Sequence, residues 1–383
     1  MKTILTSIAA GSLLAALAMA QAPSYSVADL GPVGGTPGQA FYVAPNGLVA
    51  GAAAAQDGAM KAMLWYKKLK MDIGKPGLGG ANTVAFSVNG TGQAVGEAET
   101  SALDPKGEDF CGFKALGLPS AGNSCLPFLW QNGAMTAMPT LGGNNGAVNQ
   151  INKNGEMAGL AETATPDPTC PAPQVLQFKP VMWASGKIHE LVTLDGDRDG
   201  AAFAINDSGQ VAGASGQCSA FSSSILENLQ PLHALLWQGD SVTDLGNLGG
   251  TGQGFGNLAL NLNNQGQVVG QSDLSGDANF HAFLWTQQAG IKDLGTLTGD
   301  VNSVALGINE TGEIVGLSLD ANFDPHPYLW QNGEMTNLNS LIPANSPLYL
   351  LLACSINSSG EIVGLAVNSS GEAHGYLATP GSK

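Results

Sequence analysis

One order of apolar and polar positions recurs along the chain: an apolar residue, Asn, a pair of turn residues, Gly, a polar residue, two apolar residues, Gly. It runs from Val88-Asn89 to Gly96, Ile151-Asn152 to Gly159, Ile205-Asn206 to Gly213, Leu262-Asn263 to Gly270, Ile308-Asn309 to Gly316 and Ile356-Asn357 to Gly364. A degenerate first copy is Pro45-Asn46-Gly47 to Gly51. The closing glycines, at 51, 96, 159, 213, 270, 316 and 364, are spaced by 45, 63, 54, 57, 46 and 48 residues. A second block, an apolar triplet ending in Trp, follows each of the first six copies. It contains Trp65, Trp130, Trp183, Trp237, Trp285 and Trp330, the chain's six tryptophans. The seventh copy, His374-Gly375-Tyr376-Leu377, has no Trp. A third block closes on Asp-Leu-Gly or a relative, as at Asp244-Leu245-Gly246 and Asp293-Leu294-Gly295.

Each block has the length of one strand. Asn-Lys-Asn-Gly at 152–155 and Asn-Glu-Thr-Gly at 309–312 read as four-residue turns, with Asn at the first position and Gly where φ is positive. Gln-Asn-Gly at 131–133 and 331–333 marks hairpins. Four antiparallel strands in a unit of this period predict a propeller blade. The ends interlock. Tyr25 to Gly31 is a fourth-strand block with no blade before it, and the chain stops after a third-strand block ending near Ala378. The expectation is an all-β, seven-bladed β-propeller, with four antiparallel strands per blade, closed by the N-terminal strand completing the last blade. Closure leaves no open edge between first and last sheets.

Residues 1–20 read as a secretory signal peptide: a basic start at Lys2, an apolar run from Ile4 to Leu17, and Ala18-Met19-Ala20 before Gln21. The propeller is then a single domain over 21–380, a monomer, secreted or periplasmic. No later apolar run is long enough to predict a membrane span. Composition fits tight turns between short strands: 53 of 383 residues are Gly, roughly twice ordinary usage. A formal net charge of −16 excludes nucleic acid as the main partner, since phosphate contacts need clustered Lys and Arg.

The chemistry is sparser. Five cysteines leave at least one unpaired. Cys354 lies in an apolar run, Cys111 and Cys125 bracket one loop, and Cys170 and Cys218 sit in equivalent segments of neighbouring repeats. The three longest insertions, about 97–126, 160–179 and 214–232, are second-to-third-strand loops of consecutive blades, on the face they share with the crossovers, and hold those four cysteines. Phe110, Phe113, Phe178 and Phe221 lie there and either line a site or pack the loops together. His233, His281, His326 and His374 share one repeat position, which predicts an architectural role in bridging strands. Asp195-Gly196-Asp197-Arg198-Asp199-Gly200 has the spacing that opens a calcium loop, so Asp195, Asp197 and Asp199 are candidate calcium ligands. The twelfth position is Asn206 in place of a bidentate Glu. The sequence carries no nucleophile elbow, zinc-protease helix or phosphate loop.

His-Ala-Phe-Leu-Trp (281–285), Asp-Leu-Gly-Thr-Leu (293–297) and Ile-Asn-Glu-Thr-Gly-Glu-Ile-Val-Gly (308–316) resemble the HAF repeats of predicted bacterial extracellular proteins. The resemblance covers Ser26 to Leu377 and is closest in blades five and six; blade one departs from it. It implies secretion and repeats, and no catalytic residues. The leading expectation is a binding or interaction module for a protein, a glycan or an envelope surface, held by the insertion sector. A propeller hydrolase or lyase acting on a glycan, and a structural surface protein, are the alternatives.

Overall fold

The computed structural model describes residues 24–31, 37–221 and 231–381. The expected export segment and its cleavage site lie outside the described residues. Seven antiparallel sheets of four strands follow one another along the chain. Blade 4 is representative: Asp199–Ile205 innermost, then Gln210–Gly216, Leu232–Gln238 and Ser241–Asp244. The last sheet is made by Leu348–Ile356, Ile362–Asn368, Ala373–Pro380 and, as its outer strand, Tyr25–Asp29. Tyr25 pairs with Pro380 and Asp29 with Tyr376, so the ring closes through the N-terminal strand as expected. Among the described residues no helix is long and apolar enough to cross a membrane.

Every innermost strand carries a bulge at the same place. The register slips between Ala40 and Tyr42, Ala85 and Ser87, Val148 and Gln150, and Ala202 and Ala204. It slips again between Ala259 and Asn261, Ala305 and Gly307, and Ala353 and Ser355. A bulge bends its strand and increases the local twist. It also explains the repeated glycine on the second strand. A Cβ on Gly213 would overlap the Ala201 carbonyl, and one on Gly96 the Val84 carbonyl; the other five closing glycines face the same obstruction. Trp65, Trp183 and Trp237 sit behind the glycines of their own blades, and two of them also bond to the crossover from the preceding blade. Trp183 Nε1 donates to the Pro139 carbonyl at 2.9 Å, and Trp237 Nε1 to the Val192 carbonyl at 2.7 Å.

The turn after each inner strand is built by its Asn. Asn206 Oδ1 accepts from the Ser208 and Gln210 amides, both at 3.0 Å, and its Nδ2 donates to Gln210 Oε1 at 2.8 Å. Nδ2 also reaches into the next blade, donating to the Asn263 carbonyl at 3.1 Å. The same reach runs from Asn89 to Asn152, Asn152 to Asn206, Asn263 to Asn309, Asn309 to Asn357, and Asn357 to Ala44. A belt of amides therefore circles the axis. Its one break is blade 1, where Ala44 stands at the Asn position and Asn46 Nδ2 instead donates to the Gly90 carbonyl at 3.0 Å.

Candidate ligand-binding site

The insertion sector is packed against its own scaffold. Phe113 and Phe178 are 3% and 6% exposed. Phe178 meets Phe221 edge-on at 5.3 Å. Phe110, Cys111 and Phe113 pack with Phe41, Phe86, Val84 and Cys125. Long loops on a thin scaffold need a small core of their own, and these aromatics supply it. The disulfides Cys111–Cys125 and Cys170–Cys218 close it, and Cys354 is free. Two disulfides fit an oxidising compartment.

A line of buried carboxylates supports the crossovers of this face. Glu99 accepts from the Asn82 amide and Nδ2 at 2.9 and 2.8 Å. Glu162 accepts from the amides of Asn144 and Asn145 and from Gln174. Asp273 accepts from the amides of Gly254, Phe255 and Gly256. The Leu-Gly-Gly crossovers fold over these acids: a Cβ on Gly80, Gly143 or Gly250 would meet the side chain of Glu99, Glu162 or Asp273. Burial pushes Glu162 up to about 7, and burial pushes Glu97, beside the Cys111–Cys125 pair, up to about 8.

The three aspartates of the calcium-like segment go to different partners. Asp195 is exposed. Asp197 Oδ2 lies 2.9 Å from His233 Nδ1 and accepts from Ser215 Oγ. Asp199 is buried and accepts from the Phe178 amide at 2.9 Å. A cation on this loop would draw Asp197 away from His233 and Ser215. Among the described residues, the groups with three ligand atoms within 4.8 Å of one another are Glu97/Cys111/Cys125 and Cys170/Asp199/Cys218. The repeated histidines each pair with an aspartate: His281 with Asp293, His326 with Asp300 and His374 with Asp29, all through Nδ1. They bridge elements as their repeat position predicts. Asp197 holds His233 above the usual imidazole value, against the opposing effect of burial.

The turn face offers a different arrangement. The belt of Asn turns frames the mouth of the central channel, a cavity of about 240 Å³. Its wall alternates constant and changing positions. The residue before each Asn is invariably apolar: Val88, Ile151, Ile205, Leu262, Ile308 and Ile356, with Val43 in blade 1. The residue after it differs in every blade: Pro45, Gly90, Lys153, Asp207, Asn264, Glu310 and Ser358. One residue further inside, Tyr42, Gln150, Asn261 and Ser355 line the wall. Burial pushes the Tyr42 hydroxyl up to about 12, with Asp207 and Glu310 adding to the rise and Gln150 opposing it by a hydrogen bond. Tyr42 lines the same cavity as Gln150, Asp207 and Glu310, from three other blades. On the rim, Asn264 Nδ2 donates to Asp207 Oδ2 at 2.9 Å and Glu310 Oε1 at 2.8 Å. Lys153 Nζ pairs with Asp207 at 3.1 Å.

The sequence reading passed over this site. In one chain, variation at an exposed turn looks like freedom from constraint. The available signal was the contrast between fixed and changing positions that the fold brings to one point.

No family model and no curated protein sequence matches the chain. Among solved structures it is similar to a mutant of Aleuria aurantia lectin (AAL) in complex with alpha-methyl-L-fucoside, at 11% identity and TM-score 0.35, covering 66% of this chain and 75% of that one. It is also similar to a triple arginine-to-alanine mutant of AofleA from Arthrobotrys oligospora, at 10% identity and TM-score 0.35, covering 82% and 88%. A third is a complex of S. cerevisiae dbp5 with nup159, gle1, IP6 and ADP, at 9% identity and TM-score 0.35, covering 93% and 96%. At these values the similarities carry no functional conclusion.

Proposed function

We propose that the protein is an extracellular binding propeller that takes one sugar residue in the turn-face mouth of its channel. The supporting observation is the non-repeating hydrophilic lining of that mouth within an otherwise repeating ring. The scaffold needs Asn and an apolar residue at each turn. Tyr42, Gln150, Asn261 and Ser355 on the inner wall, and Asp207, Asn264, Glu310 and Ser358 on the rim, change from blade to blade, although Gln150, Asn261 and Ser355 also bond to the next blade. Amides, hydroxyls and carboxylates in such density suit a ligand that is itself dense in hydroxyls. Two carboxylates against one lysine disfavour a phosphorylated ligand. The expected export segment and the disulfides are consistent with a role outside the cytoplasm.

Calorimetric titration of the full chain with a panel of neutral monosaccharides tests this. Saturable binding by at least one is expected. Ser358→Trp, a bulky side chain set on the exposed rim, should weaken that binding about tenfold or more. Absence of binding across the panel overturns the proposal, and so does binding that Ser358→Trp leaves unchanged.

A further inference from the structure

The outer strand of blade 1 reverses the pattern kept by the blades that follow it. In blades 2 to 6 the outer-strand residue opposite the third-strand Trp is Met135, Ile188, Val242, Ile291 or Met335, half-buried in each case. The position after it is Thr136, His189, Thr243, Lys292 or Thr336. In blade 1 the residue opposite Trp65 is Lys70, and its neighbours are Leu69 and Met71. Successive strand residues point to opposite sides of a sheet, so this reversal moves the apolar residues off the side that holds Trp65. Tyr66 pairs with Leu69 and Leu64 with Met71, which puts all four on one side. Leu64 is buried in the cluster shared with blade 2, whereas Tyr66, Leu69 and Met71 are 38%, 69% and 47% exposed. Among the described residues eight large apolar side chains are exposed, and three of them belong to this hairpin.

Positive charge gathers at the same place. Of the chain's 14 Lys and Arg residues, Lys61, Lys67, Lys68, Lys70 and Lys75 fall between 61 and 75, beside a single acid, Asp72. Lys67, Lys68 and Lys70 are exposed and form no ion pair among the described residues. Lys67 Nζ lies 5.2 Å from the centre of the Tyr66 ring, so the basic tip and the apolar patch adjoin. The hairpin joins the third and fourth strands of its blade, which places its turn on the face of the Asn turns, at the outer margin of the ring.

We propose that this hairpin docks the propeller on a lipid bilayer that carries anionic headgroups, with Tyr66, Leu69 and Met71 entering the interface and Lys67 and Lys68 meeting the phosphates. A stable protein interface buries about 800 Å² on each partner, and three partly exposed side chains fall well short of that. A bilayer asks for no matching shape; it takes up small apolar groups and attracts each lysine close to its surface. The net charge of −16 does not prevent the contact, because charges more than about 8 Å from it are screened at physiological salt. The docking is reversible and brings the face that bears the channel mouth toward the lipid. The hairpin and the mouth are separate surfaces, and neither reading depends on the other.

The test is sedimentation with vesicles, using the chain that begins at Gln21 so that the apolar run from Ile4 to Leu17 takes no part. Vesicles of phosphatidylcholine mixed with phosphatidylglycerol should bind it about tenfold or more tightly than phosphatidylcholine alone, and added salt should weaken the binding. Two double variants separate the contributions. Lys67→Asn/Lys68→Gln keeps a residue that accepts the positive φ of 55° at 67, where Asn132 and Asn332 stand at φ 52° and 54° in blades 2 and 6. Leu69→Ser/Met71→Thr installs the residues that blade 4 has at these positions, Ser241 and Thr243. Each should lower the affinity for the mixed vesicles about tenfold or more, with the melting temperature unchanged. No binding to either vesicle, equal binding to both, or binding that survives both double variants overturns the proposal. Concentration-dependent association without lipid, abolished by Leu69→Ser/Met71→Thr in light scattering, would make a second copy of the chain the occupant and overturns it as well.

Discussion

Four blades place a side-chain oxygen where it accepts a hydrogen bond from the third strand of the preceding blade. Asn82 accepts from Met60 at 2.9 Å, Asn145 from Cys125 at 2.8 Å, Asn302 from Phe280 at 3.0 Å, and Asp199 from Phe178 at 2.9 Å. Three of these are amides. Asp199 brings a carboxyl to a position built for a neutral group. Burial pushes it up to about 7, the Phe178 amide opposes that rise, and Asp167 adds to it. The folded state therefore holds this proton more tightly than the unfolded chain does. The associated stability is present at pH 4 and below and is lost as pH rises through about 7. Glu162, at about 7, and Glu97, at about 8, act in the same direction. The melting temperature is expected to fall between pH 5 and pH 8.5. Asp199→Asn should melt about 2 °C or more above the parent at pH 8 and close to it at pH 5. Calorimetric melts at both pH values check this, and equal shifts at the two would contradict it. Calcium titration of the same pair separates the remaining role: a cation held through Asp199 would lose its heat in the variant.

The unit that makes a blade is the bulged inner strand with its Asn turn. The bulge forces the facing residue to be Gly, and the Asn joins its turn to the next blade. Asn206→Ala removes four hydrogen bonds and leaves the Ser208 and Gln210 amides without their side-chain acceptor. A loss of about 2–4 kcal/mol is expected from four hydrogen bonds at a half-buried turn, at roughly 0.5–1 kcal/mol each. Ser208→Ala, at an exposed position of the same turn, should cost less than about 0.5 kcal/mol. Urea melts of both variants measure the difference, and equal midpoints would show that the belt contributes nothing. The blades were legible in the sequence because each strand pairing repeats a fixed local demand: Asn and Gly in the turn, Gly on the second strand, Trp on the third. The bulges were not. Their extra residues are Phe41, Phe86, Phe203, Leu260, Leu306 and Cys354, all apolar, and Asn149; an apolar residue inside an apolar strand carries no mark of a bulge. The bulge is set by how seven strands crowd an axis, which is a property of the ring. The sequence leaves two readings of the insertion loops open for a related reason. Phe113 and Phe178 are as apolar in a buried loop core as on a binding surface, and only packing distinguishes the two.

At the scale of the molecule, the ring is held shut by contacts between residues more than 340 positions apart. Tyr25 to Asp29 pairs along Tyr376 to Pro380, the Leu30 amide donates to the Gly375 carbonyl at 3.0 Å, and His374 Nδ1 lies 3.0 Å from Asp29. Tyr25 and Leu30 are 5% and 6% exposed, and Tyr25 belongs to the same apolar cluster as Tyr376, Leu350 and Ala378. Without this strand the seventh blade has three strands and presents the edge of Ala373–Pro380 to solvent, with its backbone donors and acceptors unmet. Burial of Tyr25, Leu30 and part of Val27 is worth on the order of 5 kcal/mol. A chain beginning at Pro32 is therefore expected to melt well below one beginning at Gln21 and to associate through the open edge. Light scattering and thermal melts of the two chains check this. The seventh blade also supplies Ser355, Ile356 and Ser358 to the channel mouth. The truncated chain should accordingly lose sugar binding even at temperatures where it remains folded, whereas the chain beginning at Gln21 should retain it. Equal melting temperatures and a monomeric truncated chain would mean that the ring holds its shape without its clasp.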